Sequence, residues 1–180
     1  MAAAISFLPN ATATSQTVVF YGQQPDAELC AEELLTADDS SYALIKTCED
    51  AALNRDLGRK AYAAALLNAG IANMRLGKLN SAERYFEMAE ATGADLPTLQ
   101  INVAAAQLYR GDAAGAVATL SDIEAIAPDV RHIAYYNRAT AHWLLGDVEH
   151  AYLDFRKSDA LKPGYAPAEQ ALSHFVIKPQ

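Results

Sequence analysis

A ten-residue stretch that opens with Asn and closes with Gly occurs three times, at Asn68–Gly77, Asn102–Gly111 and Asn137–Gly146. The first two glycines are 34 residues apart and the second pair 35, the extra residue falling in the segment from Pro128 to His132. A fixed period near 34 marks stacked helical hairpins, because one such unit cannot bury its apolar face without a neighbour. Other positions keep the same register. Gly70, Ala104 and Ala139 in each first helix, and Ala82, Ala116 and Ala151 in each second, are small where two helix backbones must come close. Phe86, Leu120 and Phe155 are left to fill the layer between one hairpin and the next. Gly77, Gly111 and Gly146 supply the left-handed residue that ends each first helix. Asp112 and Asp147 follow as N-caps, Pro128 and Pro163 stop the second helices, and Asp129 is placed to cap the helix after Pro128. The chain holds 38 alanines among 180 residues against 9 glycines and 7 prolines, a balance that favours closely packed helices over sheet.

At these residues the chain resembles the tetratricopeptide repeat (TPR) family, over about residues 63–163 and in three consecutive units. It departs from the family pattern in having Asn73, Gln107 and His142 where a large aromatic is usual, and Ala94 where proline is expected. The resemblance implies an all-α fold, a right-handed α-solenoid of antiparallel helix hairpins, with the first helices lining a concave groove. The family's groove positions fall on Leu67, Asn68, Ile71 and Met74, then Ile101, Asn102, Leu108 and Tyr109, then Ile133, Tyr136, Asn137 and Trp143. Members that grip the C-terminal carboxylate of heat-shock chaperones need Lys and Arg there, whereas this chain has Leu67, Ile133 and Asn137, with only Asn102 matching, so that role is not expected. The row Asn68, Asn102, Asn137 looks instead like the asparagine ladder with which the repeat superhelix of O-linked N-acetylglucosamine transferase holds peptide backbones. Each amide can donate to a peptide carbonyl and accept from its N–H, leaving preference for apolar side chains to Ile101, Tyr109, Tyr136 and Trp143.

The flanks divide the chain further. Residues 1–24 carry no charge; the apolar opening from Met1 to Leu8 and the small-x-small Ala11-Thr12-Ala13 fit a signal-peptide remnant, followed by an extended arm at Thr17–Tyr21. Residues 25–56 form an N-terminal hairpin, with helices expected over Pro25–Leu35 and Ser40–Asn54 about a turn at Thr36–Ser40. Residues 57–163 hold the repeats, and 164–180 a capping helix, Ala166–Phe175, with a tail. About nine helices are expected in all. Cys30 and Cys48 are equidistant from residue 39, which sets them opposite one another across the hairpin in a position to form a disulfide; two buried free thiols in a cytoplasmic protein are the alternative. A bridge and a leader together point to the periplasm or to secretion, and the arrangement is similar to small exported TPR proteins of Gram-negative bacteria, which often place a two-cysteine hairpin before the repeats.

Charge and chemistry narrow the function. The net charge is −8 with a pI near 4.9, unsuited to a phosphate backbone, so nucleic acid is not an expected partner. Asp26–Asp56 alone holds nine acids against Lys46 and Arg55, a polar face suited to an end cap. No apolar run of about 18 residues is present, so membrane insertion is not expected. His142, His150, Asp147 and Glu149 could be pictured as metal ligands, but no close His-x-x-x-His or Cys-x-x-Cys spacing supports a metal site. His142 reads as a hydrogen-bonded core residue, and His132 and His150 as solvated. No cysteine lies near a histidine in sequence and no Gly-x-x-x-x-Gly-Lys occurs, so neither catalytic residues nor a cofactor is expected. The reading is a non-catalytic protein–protein interaction scaffold that binds a peptide or protein segment in its groove. The alternative is a structural subunit or homo-oligomer whose groove is filled by Thr17–Tyr21 or by a second copy.

Overall fold

In the computed structural model, residues 25–36 and 42–175 are described. Nine α-helices run among them: α1 Pro25–Thr36, α2 Tyr42–Leu53, α3 Arg59–Arg75, α4 Leu79–Ala91, α5 Leu99–Arg110, α6 Ala113–Thr119, α7 Arg131–Leu144, α8 Val148–Leu161 and α9 Ala166–Leu172. No strand occurs among the described residues, so this part of the protein is all-α. The leader-like opening, the arm at Thr17–Tyr21, the turn between α1 and α2 and the C-terminal tail lie outside the described residues.

Each helix packs on the next in sequence, except that the α6–α7 contact runs past a short 3-10 turn at Ile123–Ala125; α1 also meets α3, α3 meets α5 and α5 meets α7. The turns explain this order. Gly111 ends α5 with φ of 85°, its N–H donating to Leu108 O at 3.0 Å while Asp112 N donates to Gln107 O at 2.8 Å. The same pair recurs at the other two turns: Gly77 N to Met74 O and Lys78 N to Asn73 O, both 2.9 Å, then Gly146 N to Trp143 O at 3.0 Å and Asp147 N to His142 O at 2.9 Å. A left-handed residue at this point lets two amides reach back to the last free carbonyls of the helix. Asp112 and Asp147 then cap α6 and α8, accepting from Gly115 N and His150 N.

Close backbone approach holds the pairs together. A Cβ added to Gly70 on α3 would lie 2.3 Å from Cε1 of Phe86 on α4, so the Phe86 ring occupies the space that a side chain would need. Ala82, Ala104, Ala116, Ala139 and Ala151 are all fully buried, as the small positions require, and Phe86, Leu120 and Phe155 are buried beside them. The buried residues form three clusters. The largest gathers α1 to α4 with part of α5 around Leu34, Leu66, Ile71 and Phe86; the second lies around Ile101, Leu120 and Ile126; the third joins Tyr136 and Phe155 to Ala168 on α9.

Three expectations need correction. The second helix of the middle unit stops at Thr119 instead of continuing to Pro128. Gly115, Val117 and Thr119 are weak helix formers, and the Leu120 carbonyl is taken by Arg138 Nη1 at 3.0 Å. Arg131 fastens the chain beyond it, donating from Nε to Ile126 O and from Nη1 to Glu124, both at 2.7 Å. Asp129 caps nothing: Val130 is the N-cap of α7 and no side chain bonds there. Helix α9 ends at Leu172, short of Phe175, although the Phe175 ring still packs on Trp143, Tyr152 and Phe155 with centroids 5.3, 5.4 and 6.0 Å away.

The Cys30 and Cys48 sulfurs lie at disulfide distance, with Cα atoms 4.8 Å apart and both side chains buried. The pair joins α1 to α2, and both helices pack on α3.

Two outcomes follow for stability. Gly→Ala in a helix interior ordinarily stabilises by up to ~1 kcal/mol; at Gly70 the sign reverses, and Gly70→Ala lowers unfolding free energy in urea by about 1–3 kcal/mol as Phe86 is forced aside. A Cys30–Cys48 bridge closes a loop with a sequence separation of 18, and its presence is the expected outcome of a mass measurement. Intact mass of the natively prepared protein gains two hydrogens on reduction, and reduction costs ~3 kcal/mol of stability by the chain-entropy argument.

Candidate functional site

The positions expected to line a groove fall on α3, α5 and α7, and most are buried. Residues 63–74 of α3 are buried without a break, because α1, α2, α4 and α5 surround that helix. Leu67, Ile71, Met74 and Ile101 are therefore core residues, and so is Tyr136, whose ring meets Phe155 and Tyr165 at 5.6 and 5.8 Å. Burial pushes the Tyr136 phenol above its ordinary pKa. Trp143 is half-covered, its ring 5.3 Å from Phe175. Of the seven residues assigned to peptide binding, Tyr109 alone is openly exposed, at 45%.

The asparagine row is withdrawn from solvent: Asn68 is 2% exposed, Asn102 and Asn137 0%. Asn102 Nδ2 donates to Thr98 O one turn earlier at 3.0 Å, and Asn137 Nδ2 on α7 reaches across to Ile101 O on α5 at 3.4 Å. Asn137 ties α7 to α5 and Asn102 bonds back within its own helix, and in this conformation all three amides are buried where the expectation had an open ladder. The physical reason is the proximity of successive first helices, which close over the face that carries the row.

The residues that replace the usual aromatics are tied in as well. Asn73 Nδ2 donates to Glu49 Oε1 on α2 at 3.1 Å and to Ala69 O at 2.9 Å, and Gln107 Oε1 accepts from the Thr119 hydroxyl at 2.9 Å. His142 has its Nδ1 3.5 Å from Asp147 Oδ2. Each polar side chain at this repeat position finds a polar group on a neighbouring element or turn.

Two constellations flank the α7–α8 turn; the first was not read from the sequence, and the residues of the second were considered there as metal ligands and set aside for want of a close spacing. The first is Arg138 and Asp154, joined by two bonds, Nε to Oδ2 at 2.7 Å and Nη2 to Oδ1 at 3.0 Å, with side chains 18% and 7% exposed. The hydrogen bonds to Asp154 hold the guanidinium even further above its ordinary range, outweighing its partial burial. The second is Asp147 with His142 and His150. Asp147 Oδ1 caps α8, while Oδ2 lies 2.8 Å from His150 Nδ1 and 3.5 Å from His142 Nδ1. The His150 contact holds the Asp147 carboxyl below its usual pKa, and the same contact raises His150. The imidazoles stack with centroids 5.2 Å apart. Both pairs were open to simple hairpin geometry: Arg138 and Asp154 stand eight residues either side of Gly146, and His142 and His150 four either side.

His132 also differs from expectation. It lies on α7, 5% exposed, with its ring edge-on to Tyr165 at 5.0 Å. Burial, reinforced by nearby Lys162, lowers its pKa against the opposing pull of Asp129.

Comparison with models of protein families, with curated proteins and with solved structures finds no match to this chain. Among the described residues no helix is long and apolar enough to cross a membrane.

The interhelical role of Asn137 is testable. Asn137→Ala removes the bond to Ile101 O and leaves a small void, so it lowers unfolding free energy in urea by about 1–2 kcal/mol. A melting curve identical to that of the parent would return the amide to the pool of ligand-binding groups.

Proposed function

We propose that this chain is a TPR-type scaffold, a right-handed solenoid of helix hairpins that binds a peptide or protein segment and catalyses no reaction. The observation that carries this reading is the threefold return of one turn, at spacings of 34 and 35 residues, with the same two backbone hydrogen bonds and the same positive-φ glycine. Contacts of α1 with α3, α3 with α5 and α5 with α7 are those that successive first helices make in such a stack. The buried cysteine pair supports an exported, periplasmic or secreted location.

Because the asparagine row is buried, we assign binding to side chains one position-class further along each first helix. Arg75, Tyr109 and Leu144 each stand seven residues after the repeat asparagine, and Tyr109 and Leu144 are 45% and 58% exposed. An exposed aromatic and an exposed aliphatic side chain at equivalent repeat positions suit an apolar stripe on a bound segment. Leu144, Leu145 and Val148, all at least half exposed about one turn, favour a second reading in which another copy of the chain covers them.

Selection of a random peptide library on the immobilised, disulfide-bonded protein tests the first reading. Enriched peptides should lose at least tenfold in affinity for the Tyr109→Ala, Leu144→Ala double variant while its melting temperature stays that of the parent. An absence of enrichment, or affinities untouched by the double variant, sinks the assignment. A dimer that persists on dilution in light scattering, and dissociates on Leu144→Ala, establishes the second reading instead.

A further inference from the structure

The α7–α8 turn brings together one ligand atom from each of His142, Asp147 and His150, all within 4.8 Å of one another. We propose that these three residues form a binding site for a divalent transition-metal ion of the zinc class.

The turn itself builds the arrangement. Gly146, at φ of 77°, reverses the chain so that the last turn of α7 faces the first turn of α8. Asp147 is fixed at the junction by its own N–H, which donates to His142 O at 2.9 Å, and by Oδ1, which accepts from His150 N at 3.3 Å. Its second oxygen is thereby aimed at both imidazoles, 2.8 Å from one Nδ1 and 3.5 Å from the other. Ligand atoms about 2.0–2.1 Å from a tetrahedral zinc ion stand about 3.4 Å from each other. The His142–Asp147 separation of 3.5 Å is already near that value, the His150–Asp147 contact of 2.8 Å must open to admit an ion, and His150, with its side chain 64% exposed, has room to adjust its rotamer.

The donor set selects the ion. Two imidazoles and one carboxylate suit zinc and the neighbouring borderline cations, whereas magnesium and calcium call for a shell of oxygens. His142 and His150 also line a cleft of about 330 Å³, shared with Arg138, Asp154 and Lys157. Coordination positions not filled by the protein open onto that cleft, where water or a small anion has access. The site shares the α7–α8 turn with Leu144, while Tyr109 lies on α5, and none of the three ligand residues is assigned to peptide binding, so zinc uptake by the parent protein is measured without a bound peptide.

Isothermal titration of the intact, disulfide-bonded protein with zinc sulfate in a non-chelating buffer tests the proposal, with magnesium sulfate as the contrasting cation. One equivalent of zinc should bind, and magnesium should give no saturable heat. His150→Ala removes an exposed ligand, and Asp147→Asn removes the anionic ligand while keeping a good N-cap; each should weaken zinc at least tenfold, whereas His174→Ala should not change it. Ring-proton NMR should show His142 and His150 shifting with zinc while His132 and His174 stay in place. The proposal is overturned if the parent protein takes up no stoichiometric zinc, or if His150→Ala and Asp147→Asn, with parental melting temperatures, bind it as the parent does.

Discussion

The structure depends on how closely two helix backbones can lie. Where α3 meets α4, the Phe86 ring rests in the space above Gly70, and fully buried alanines hold the equivalent places in the later hairpins. Phe86 and Phe155 thereby pack on the first helix of their own hairpin, and successive first helices come into contact. The close spacing also draws polar side chains inward. Asn137 finds the Ile101 carbonyl on the adjacent helix, and Asn73 finds Glu49. Buried amides are tolerable only with such partners, so the polar row serves register as much as any surface role.

Much of this was legible in the sequence, and the exceptions have causes. The glycines with positive φ, the Asp112 and Asp147 caps and the small positions were found because each obeys a local rule: a steric limit, an orphan amide or a volume. The cysteine pair was found because a hairpin places residues equidistant from its turn face to face. The same construction about Gly146 predicts Arg138 with Asp154 and His142 with His150, a pairing across a turn that a short ligand spacing such as His-x-x-x-His along one helix does not contain. The early end of α6 was hidden because its cause lies elsewhere, in an Arg138 guanidinium that takes the Leu120 carbonyl from another helix. Exposure was the least legible property. Repeat periodicity says which face a residue occupies, and not which element covers that face, so Leu67, Asn68 and Ile71 read as groove residues until α1 and α2 are placed against α3.

Arg138 marks the point where the repeats lose their regularity. Its side chain joins α7 to α8 through Asp154 and holds the last carbonyl before the chain leaves α6. The one-residue lengthening of the repeat falls just beyond, in the segment that Arg131 fastens to Ile126. An ion pair this enclosed is costly to break from one side, because the remaining charge keeps its desolvation without its partner.

The two cysteines at disulfide distance between α1 and α2 are 1% and 0% exposed, packed in the same cluster as Leu66 and Ile71 of α3. A dissolved thiolate must approach a sulfur directly to exchange with it, and none can do so while that cluster is closed. Reduction is then gated by opening of the N-terminal hairpin, and at high reductant its rate ceases to depend on reductant concentration and becomes the opening rate itself. The cysteine pair is in this sense a clock for the breathing of one face of the protein, readable without any added label.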